Sequence, residues 1–154
     1  MPRNMNMNMN NRRITVQQLK NYIDSQSSYL LIDIRPKTEF DICHLKSSLH
    51  IPFNELFRES VISDIREAID NGISNKGATL PFPVILLCHR GNRSAEAAPK
   101  LGSALMSFRC SNPDNRKELV CADGDDSNSD FVVCDVAGGL SAWSSEIDPN
   151  FPTY

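Results

Sequence analysis

The sequence lacks the long apolar run that a membrane-spanning helix requires. Such a helix needs roughly 18 or more consecutive apolar residues, and no stretch of the 154 residues approaches that length. The sequence also lacks an excess of basic residues, because 16 Lys and Arg stand against 19 Asp and Glu, a formal net charge of −3. A positive field that would gather nucleic acid or an anionic membrane surface is therefore missing. Both absences argue against a membrane or a nucleic acid as the partner of this protein.

The sequence also lacks the cysteine pattern of a disulfide scaffold. The sequence contains five cysteines, an odd number: Cys43, Cys88, Cys110, Cys121 and Cys134. No secretory signal precedes them, so we expect reduced thiols and a cytoplasmic location rather than a disulfide scaffold. No two of them form a C-x-x-C pair, and we therefore expect no metal site. At least one of these thiols is expected to have a chemical role.

The length of the chain favours one domain with a sizeable core over two small ones. Residues 1–13 form a repetitive Met/Asn tract without an amphipathic pattern, which predicts a disordered tail. The domain is then expected over residues 14–154. Within it, residues 107–130 contain an Asn-Pro pair, an Asp-Gly pair and an acidic cluster, so we predict a long loop insertion there.

Strands and helices are predicted to alternate along the domain. Short apolar runs predict strands over 29–34, 84–87 and 131–136, with a weaker candidate over 49–51. Helical spacing of apolar residues predicts helices from Thr15, over 54–71, over 94–106 and over 140–143. This alternation indicates an α/β fold, a parallel β-sheet with helices on both faces. In such sheets, sites form beyond the carboxyl ends of the strands.

One segment at such a strand end carries the chemistry. The strand over 84–87 runs directly into Cys88, and the loop after it reads His89, Arg90, Gly91, Asn92 and Arg93. Gly91 permits a positive φ, which lets successive backbone N–H groups turn inward as an anion-binding nest. The positive end of the following helix and the charges of Arg90 and Arg93 act in the same direction. All these effects favour a thiolate at Cys88 and would also hold a persulfide. A purely structural cysteine would leave the glycine and both arginines unexplained.

The segment from Cys88 to Ser94 resembles the active loop of rhodanese-like sulfurtransferases. Three further motifs of that family occur in the expected order: Asp33 and Arg35 with Glu39-Phe40, then 43–52, and VAGGLSAW over 136–143. The four motifs span most of the predicted domain. The resemblance implies a rhodanese-like fold and a persulfide on Cys88. It also implies that residues 89–93 bind the persulfide and the substrate.

The mechanism implied by this resemblance is covalent catalysis in two displacements. The Cys88 thiolate takes a sulfane sulfur from a donor, and an acceptor then removes it, while loop N–H groups stabilise the charge. Asp33 and Arg35 are expected to support the site, as a pair that fixes the backbone beside the loop rather than as direct substrate ligands. His44 is likewise expected to be a hydrogen-bonded framework residue rather than a base.

The end of the chain narrows the resemblance. Residues 147–154 (IDPNFPTY) and Gly91-Asn92 resemble the adenylyltransferase–sulfurtransferases, whereas Arg93 is typical of the wider family. Those enzymes activate ubiquitin-like sulfur carriers for molybdopterin synthesis and tRNA thiolation. The resemblance implies such a carrier as acceptor, an upstream persulfide donor such as a cysteine desulfurase, and an adenylation domain in cis or in trans. It implies no cofactor in this domain, since ATP and zinc would belong to the adenylation domain.

The sequence is also compatible with two other functions. A catalytically idle docking module is one, although inactive family members usually lack the cysteine that is present here as Cys88. A general thiosulfate sulfurtransferase is another. A phosphatase is disfavoured because cysteine phosphatases of the related fold have one residue more between cysteine and arginine than the Cys88–Arg93 loop. That extra residue widens the ring of N–H groups to fit a phosphate.

Overall fold

The computed structural model describes residues 12–25, 28–74, 81–111 and 130–152. It contains five strands: β1 (Arg12–Ile14), β2 (Leu30–Asp33), β3 (Leu49–His50), β4 (Phe82–Leu87) and β5 (Phe131–Val136). It contains five α-helices: α1 (Val16–Ser25), α2 (Lys37–Ile42), α3 (Glu59–Ser74), α4 (Asn92–Ser111) and α5 (Gly139–Ala142). A short 3₁₀ turn over Phe53–Glu55 precedes α3, and a π-helical turn over Trp143–Ile147 follows α5.

The strands form one parallel sheet in the order β1-β5-β4-β2-β3. Strand β4 lies at its centre, and all six of its residues are buried. Because successive side chains of a strand point to opposite faces, Val84 and Leu86 pack into the core beneath α3 and α4. Ile85 and Leu87 pack into the core that contains α1 and α5. The predicted α/β fold, a parallel sheet with helices on both faces, is confirmed.

The domain begins earlier than predicted. Arg12–Ile14 form β1, which pairs with β5 so that Arg13 lies opposite Asp135. The predicted disordered tail over 1–13 is therefore wrong for its last two residues, and residues 1–11 lie outside the described part of the chain. The strand escaped prediction because two of its three residues are arginines, so no apolar run marks it. Backbone pairing with β5 stabilises it instead.

The helix before the predicted insertion is longer than expected. Helix α4 continues to Ser111, so residues 107–111 belong to a helix and not to the loop predicted over 107–130. The described part of this helix ends at Ser111. Residues 112–129 lie outside the described part of the chain. No helix within the described ranges is long and apolar enough to cross a membrane.

Candidate active site

The site lies at the carboxyl end of β4, where the chain turns into α4. A cavity of about 310 Å³ opens there between two segments. One wall is the loop after β4, with Cys88, His89, Arg90, Asn92 and Arg93, and the other follows β2, with Ile34, Arg35, Pro36 and Glu39. The predicted loop residues other than Gly91 thus line one cavity, and Arg35 joins them from the segment that follows β2. Cys88 is buried, with only 5% of its surface exposed.

Two backbone N–H groups donate hydrogen bonds to the sulfur of Cys88. The N–H of Gly91 donates to Sγ at 3.1 Å, and the N–H of Ser94, in the first turn of α4, donates at 3.4 Å. The hydroxyl of Ser94 lies 3.4 Å from the same sulfur. Gly91 has a φ of +92°, a conformation that glycine adopts readily. Donors that converge in this way stabilise negative charge on the sulfur.

The turn at Gly138-Gly139 places α5 in hydrogen-bond contact with this loop. The N–H of Leu140 donates to the carbonyl of Cys88 at 2.9 Å, and the next N–H of α5 donates to the carbonyl of His89 at 2.9 Å. Both glycines have a positive φ, a conformation that glycine adopts readily. A Cβ on Gly139 would collide with the Cys88 carbonyl. The carbonyls of Cys88 and His89 are therefore bound to α5, while the N–H groups of the loop face the sulfur.

Asp33 and Arg35 form a buried ion pair beside the loop. Arg35 donates from Nε to Oδ1 of Asp33 at 2.8 Å and from Nη2 to Oδ2 at 2.6 Å. Nη2 also donates to the carbonyl of Cys43 at 2.7 Å. Neither side chain is more than 1% exposed. The pair therefore fixes the segment that forms the opposite wall of the cavity.

The mouth of the cavity is exposed and carries positive charge. Arg90, Asn92 and Arg93 are exposed residues on its rim. The guanidinium of Arg93 lies 5.7 Å from the ring centroid of Phe53, a cation–π contact that orients the side chain. Glu39 adds one acidic group on the opposite wall. Two arginines against one carboxylate favour an anionic ligand.

His44 lies outside the cavity lining. Its Nδ1 is 2.8 Å from the carbonyl of Phe40, and its ring stacks on the Phe40 ring at a centroid distance of 3.8 Å. His50 stacks on Phe40 at 4.3 Å. These contacts place His44 in the framework beside α2, as the hydrogen-bonded residue that the sequence analysis expected.

Two residues at the site were not predicted. Ser94 was seen only as the end of a motif, although it is fully buried against the Cys88 sulfur. Arg13 was assigned to the tail, yet its Nη2 donates to the carbonyl of Gly91 at 3.0 Å. The signal that could have identified Ser94 is its place six residues after Cys88, at the end of the loop motif. Nothing local marks Arg13, because its partner is 78 residues away along the chain.

Comparison with known proteins agrees with this geometry. The family model for the rhodanese-like domain matches residues 15–146. The adenylyltransferase and sulfurtransferase MOCS3 of Bos taurus is 35% identical over 144 residues, which cover 92% of this chain and 27% of that protein. The chain therefore spans about a quarter of that relative.

Solved structures share the fold. A yeast protein tyrosine phosphatase of the rhodanese family superposes with a TM-score of 0.61 at 15% identity, covering 89% of this chain and 86% of that one. The human single-domain sulfurtransferase TSTD1 superposes with a TM-score of 0.53 at 18% identity, covering 87% and 96% of the two chains. At these identities the likeness concerns the fold alone.

Proposed function

The chain belongs to the rhodanese-like domain family, and we propose that it is a sulfurtransferase that carries a persulfide on Cys88. The observation that supports this most strongly is the convergence of the Gly91 and Ser94 N–H groups on the Cys88 sulfur, at 3.1 and 3.4 Å. Donors in this arrangement stabilise the negative charge of a sulfur nucleophile when it reacts. The same donors would stabilise the added charge of a persulfide.

The first displacement loads the sulfur. The thiolate of Cys88 attacks the outer sulfur of a persulfide donor, an S–S bond forms on Cys88, and the donor leaves as a thiolate. We propose a cysteine desulfurase as the upstream donor, with thiosulfate as a laboratory substitute that releases sulfite. The loop N–H groups and the arginines at the mouth hold the negative charge during this exchange.

The second displacement unloads it onto a protein. We propose the adenylated C-terminus of a ubiquitin-like sulfur carrier as acceptor, for tRNA thiolation, molybdopterin synthesis or both. The terminal sulfur attacks the acyl carbon, AMP leaves, and an acyl disulfide forms on Cys88. A thiol then opens that disulfide and releases the thiocarboxylate, which leaves a mixed disulfide on Cys88 that a second thiol reduces.

Two observations support this acceptor. The exposed mouth with Arg90 and Arg93 suits an anionic, flexible chain end. The relative described as adenylyltransferase and sulfurtransferase is matched over 27% of its length, which leaves room in that protein for an adenylation domain. We propose that this chain works with such a domain in cis or in trans. We also propose that ATP and zinc bind to the adenylation domain and that the rhodanese-like domain binds no cofactor. We propose a reducing, cytoplasmic location, in which Cys88 is not consumed by a structural disulfide.

A reconstituted transfer reaction tests this proposal. The persulfide form is mixed with a carrier protein, ATP and a separate adenylating domain, a low-molecular-weight thiol is added, and the carrier is analysed by intact mass spectrometry. We expect an oxygen-to-sulfur exchange at the carrier C-terminus that Cys88→Ser abolishes. The matched control is Cys43→Ser, because Cys43 is a free, partly buried cysteine that does not line the cavity.

The same reaction separates the alternatives. Rapid conversion of cyanide to thiocyanate beside an unchanged carrier would reject the carrier and leave a general thiosulfate sulfurtransferase. Failure of both transfers, with carrier binding intact after alkylation of Cys88, would identify an idle docking module instead.

A further inference from the structure

Arg13 in β1 connects the tip of the Cys88 loop to the neighbouring strand β5. Its Nη2 donates to the carbonyl of Gly91 at 3.0 Å, and its Nε donates to Oδ2 of Asp135 at 3.0 Å. Nη2 also lies 2.9 Å from the same Oδ2. These partners are 78 and 122 residues away along the chain, so the contact exists only because β1 pairs with β5. One guanidinium thus holds two separate parts of the fold.

Asp135 holds Arg13 in place. Its side chain is 1% exposed, and it lies on β5 opposite Leu86, two residues before Cys88. Its Oδ1 has no hydrogen-bond partner within the described part of the chain. A buried carboxylate needs a paired cation, because an unpaired buried charge is strongly unfavourable. Asp135 therefore favours a single position for Arg13, although half of the Arg13 side chain, 52%, is exposed.

The bond to Gly91 affects the environment of the sulfur. Glycine has more accessible backbone conformations than any other residue, and Gly91 has a φ of +92°. Its carbonyl accepts from the N–H of Ala95 at 3.3 Å, and Arg13 adds a second, charged donor from outside the loop. Arg13 binds the Gly91 carbonyl without lining the cavity, and this bond restricts rotation of Gly91. The N–H of Gly91 is then directed at Sγ of Cys88, at 3.1 Å.

We propose that Arg13 is a positioning residue for Cys88, which acts by holding Gly91 in the conformation that aims its N–H at the sulfur. Asp135 acts through Arg13. The effect on sulfur transfer rests on the proposed function, whereas the effect on the reactivity of the Cys88 thiol does not. Two separate measurements therefore distinguish failure of this proposal from failure of that function.

The test compares Arg13→Gln, Arg13→Lys and the double variant Arg13→Gln/Asp135→Asn with the unaltered protein. The rate of Cys88 alkylation by iodoacetamide is measured as a function of pH, together with thermal unfolding and sulfur transfer from thiosulfate. The matched control is Lys20→Gln, which removes one cation from the exposed pair of Lys20 and Asp24. The control should leave every measurement unchanged.

We expect Arg13→Gln to slow alkylation at neutral pH about tenfold, because the hydrogen bond from the Gly91 N–H to the sulfur weakens once Arg13 no longer holds Gly91. Arg13→Gln also leaves Asp135 buried and unpaired, so its unfolding temperature should fall. The double variant removes that charge and should recover the unfolding temperature but not the alkylation profile. Arg13→Lys keeps the charge but offers a single ammonium group, so it should recover stability better than reactivity.

The decisive comparison is the double variant. A double variant with the unaltered alkylation profile would overturn the proposal, because Arg13 would then only neutralise Asp135. An unchanged profile in Arg13→Gln would overturn it as well. If the unaltered protein transfers no sulfur, the proposed function fails while the alkylation profiles still decide the role of Arg13.

Discussion

The backbone N–H of Leu140 donates a hydrogen bond of 2.9 Å to the carbonyl oxygen of Cys88. The first turn of α5 is therefore joined directly to the loop that bears the nucleophile. The glycine pair before Leu140 therefore affects the site through the backbone, although glycine has no side chain that could line the cavity. The close approach of the two turns leaves no room for a Cβ at Gly139.

Substitution of Gly139 by alanine should displace the loop that bears Cys88. The added Cβ would meet the carbonyl of Cys88, and alanine is also strained at a φ of +55°. We expect a loss of about 2 kcal/mol or more in the free energy of unfolding and a large fall in sulfur transfer. Urea unfolding and a thiosulfate assay measure the two effects. Ser141→Ala, an exposed change in the same helix, is the control, and a fully active Gly139→Ala would contradict the packing described.

Ser94→Ala should slow the chemistry of Cys88 without unfolding the protein. The variant keeps the N–H that points at the sulfur and removes only the hydroxyl 3.4 Å away. In the thiol form Cys88 donates to this hydroxyl, whereas the hydroxyl donates to the sulfur when Cys88 reacts as a thiolate. Loss of that second hydrogen bond, about 1 kcal/mol, corresponds to a fall of about fivefold in the alkylation rate of Cys88. Ser103→Ala, at an exposed position of the same helix, should have no effect. Equal alkylation rates in the two variants would exclude a role for the Ser94 hydroxyl.

Breaking the buried pair of Asp33 and Arg35 should destabilise the fold. Arg35→Met leaves the Asp33 carboxylate buried without its cation, which typically costs about 3–5 kcal/mol of unfolding free energy. Lys37→Met is the matched control, because the Lys37–Asp41 pair is exposed and such pairs contribute about 0.5 kcal/mol or less. Chemical denaturation compares them. Similar midpoints for both variants would show that the Asp33–Arg35 pair does not stabilise the wall of the cavity.

Much of the fold was predictable because its central strands are buried on both faces. Strands β4 and β5 have no exposed residue, so each appears in the sequence as an apolar run between polar segments. The position of Cys88 after β4 followed from the same pattern. The conformation of the following loop was indicated by Gly91, whose positive φ is a local property of the residue type.

The remainder depends on contacts that no local pattern encodes. Helix α2 buries none of its six residues, so it has no apolar periodicity to detect. Strand β1 exists because β5 offers it a free edge, and Arg13 reaches Gly91 only through that pairing. Such long-range relationships become visible only when the chain is folded.

Phosphatase activity should be absent. The yeast phosphatase of the rhodanese family has the same fold at a TM-score of 0.61, but fold does not determine which reaction a site performs. The loop from Cys88 to Arg93 is one residue shorter than the loop of cysteine phosphatases, and its N–H ring is expected to be too narrow for a phosphate. An aryl phosphate is the substrate to use. Turnover that disappears in Cys88→Ser would contradict the argument from loop length.

The central claim is that Cys88 carries the transferred sulfur as a persulfide. The direct measurement is to incubate the protein with thiosulfate and to map the added sulfur by mass spectrometry without reductant, in the unaltered protein and in Cys88→Ser. We expect one additional sulfur on the peptide that contains Cys88, and none in the variant. A persulfide that survives Cys88→Ser and maps to another cysteine, such as Cys110 or Cys121, would contradict it.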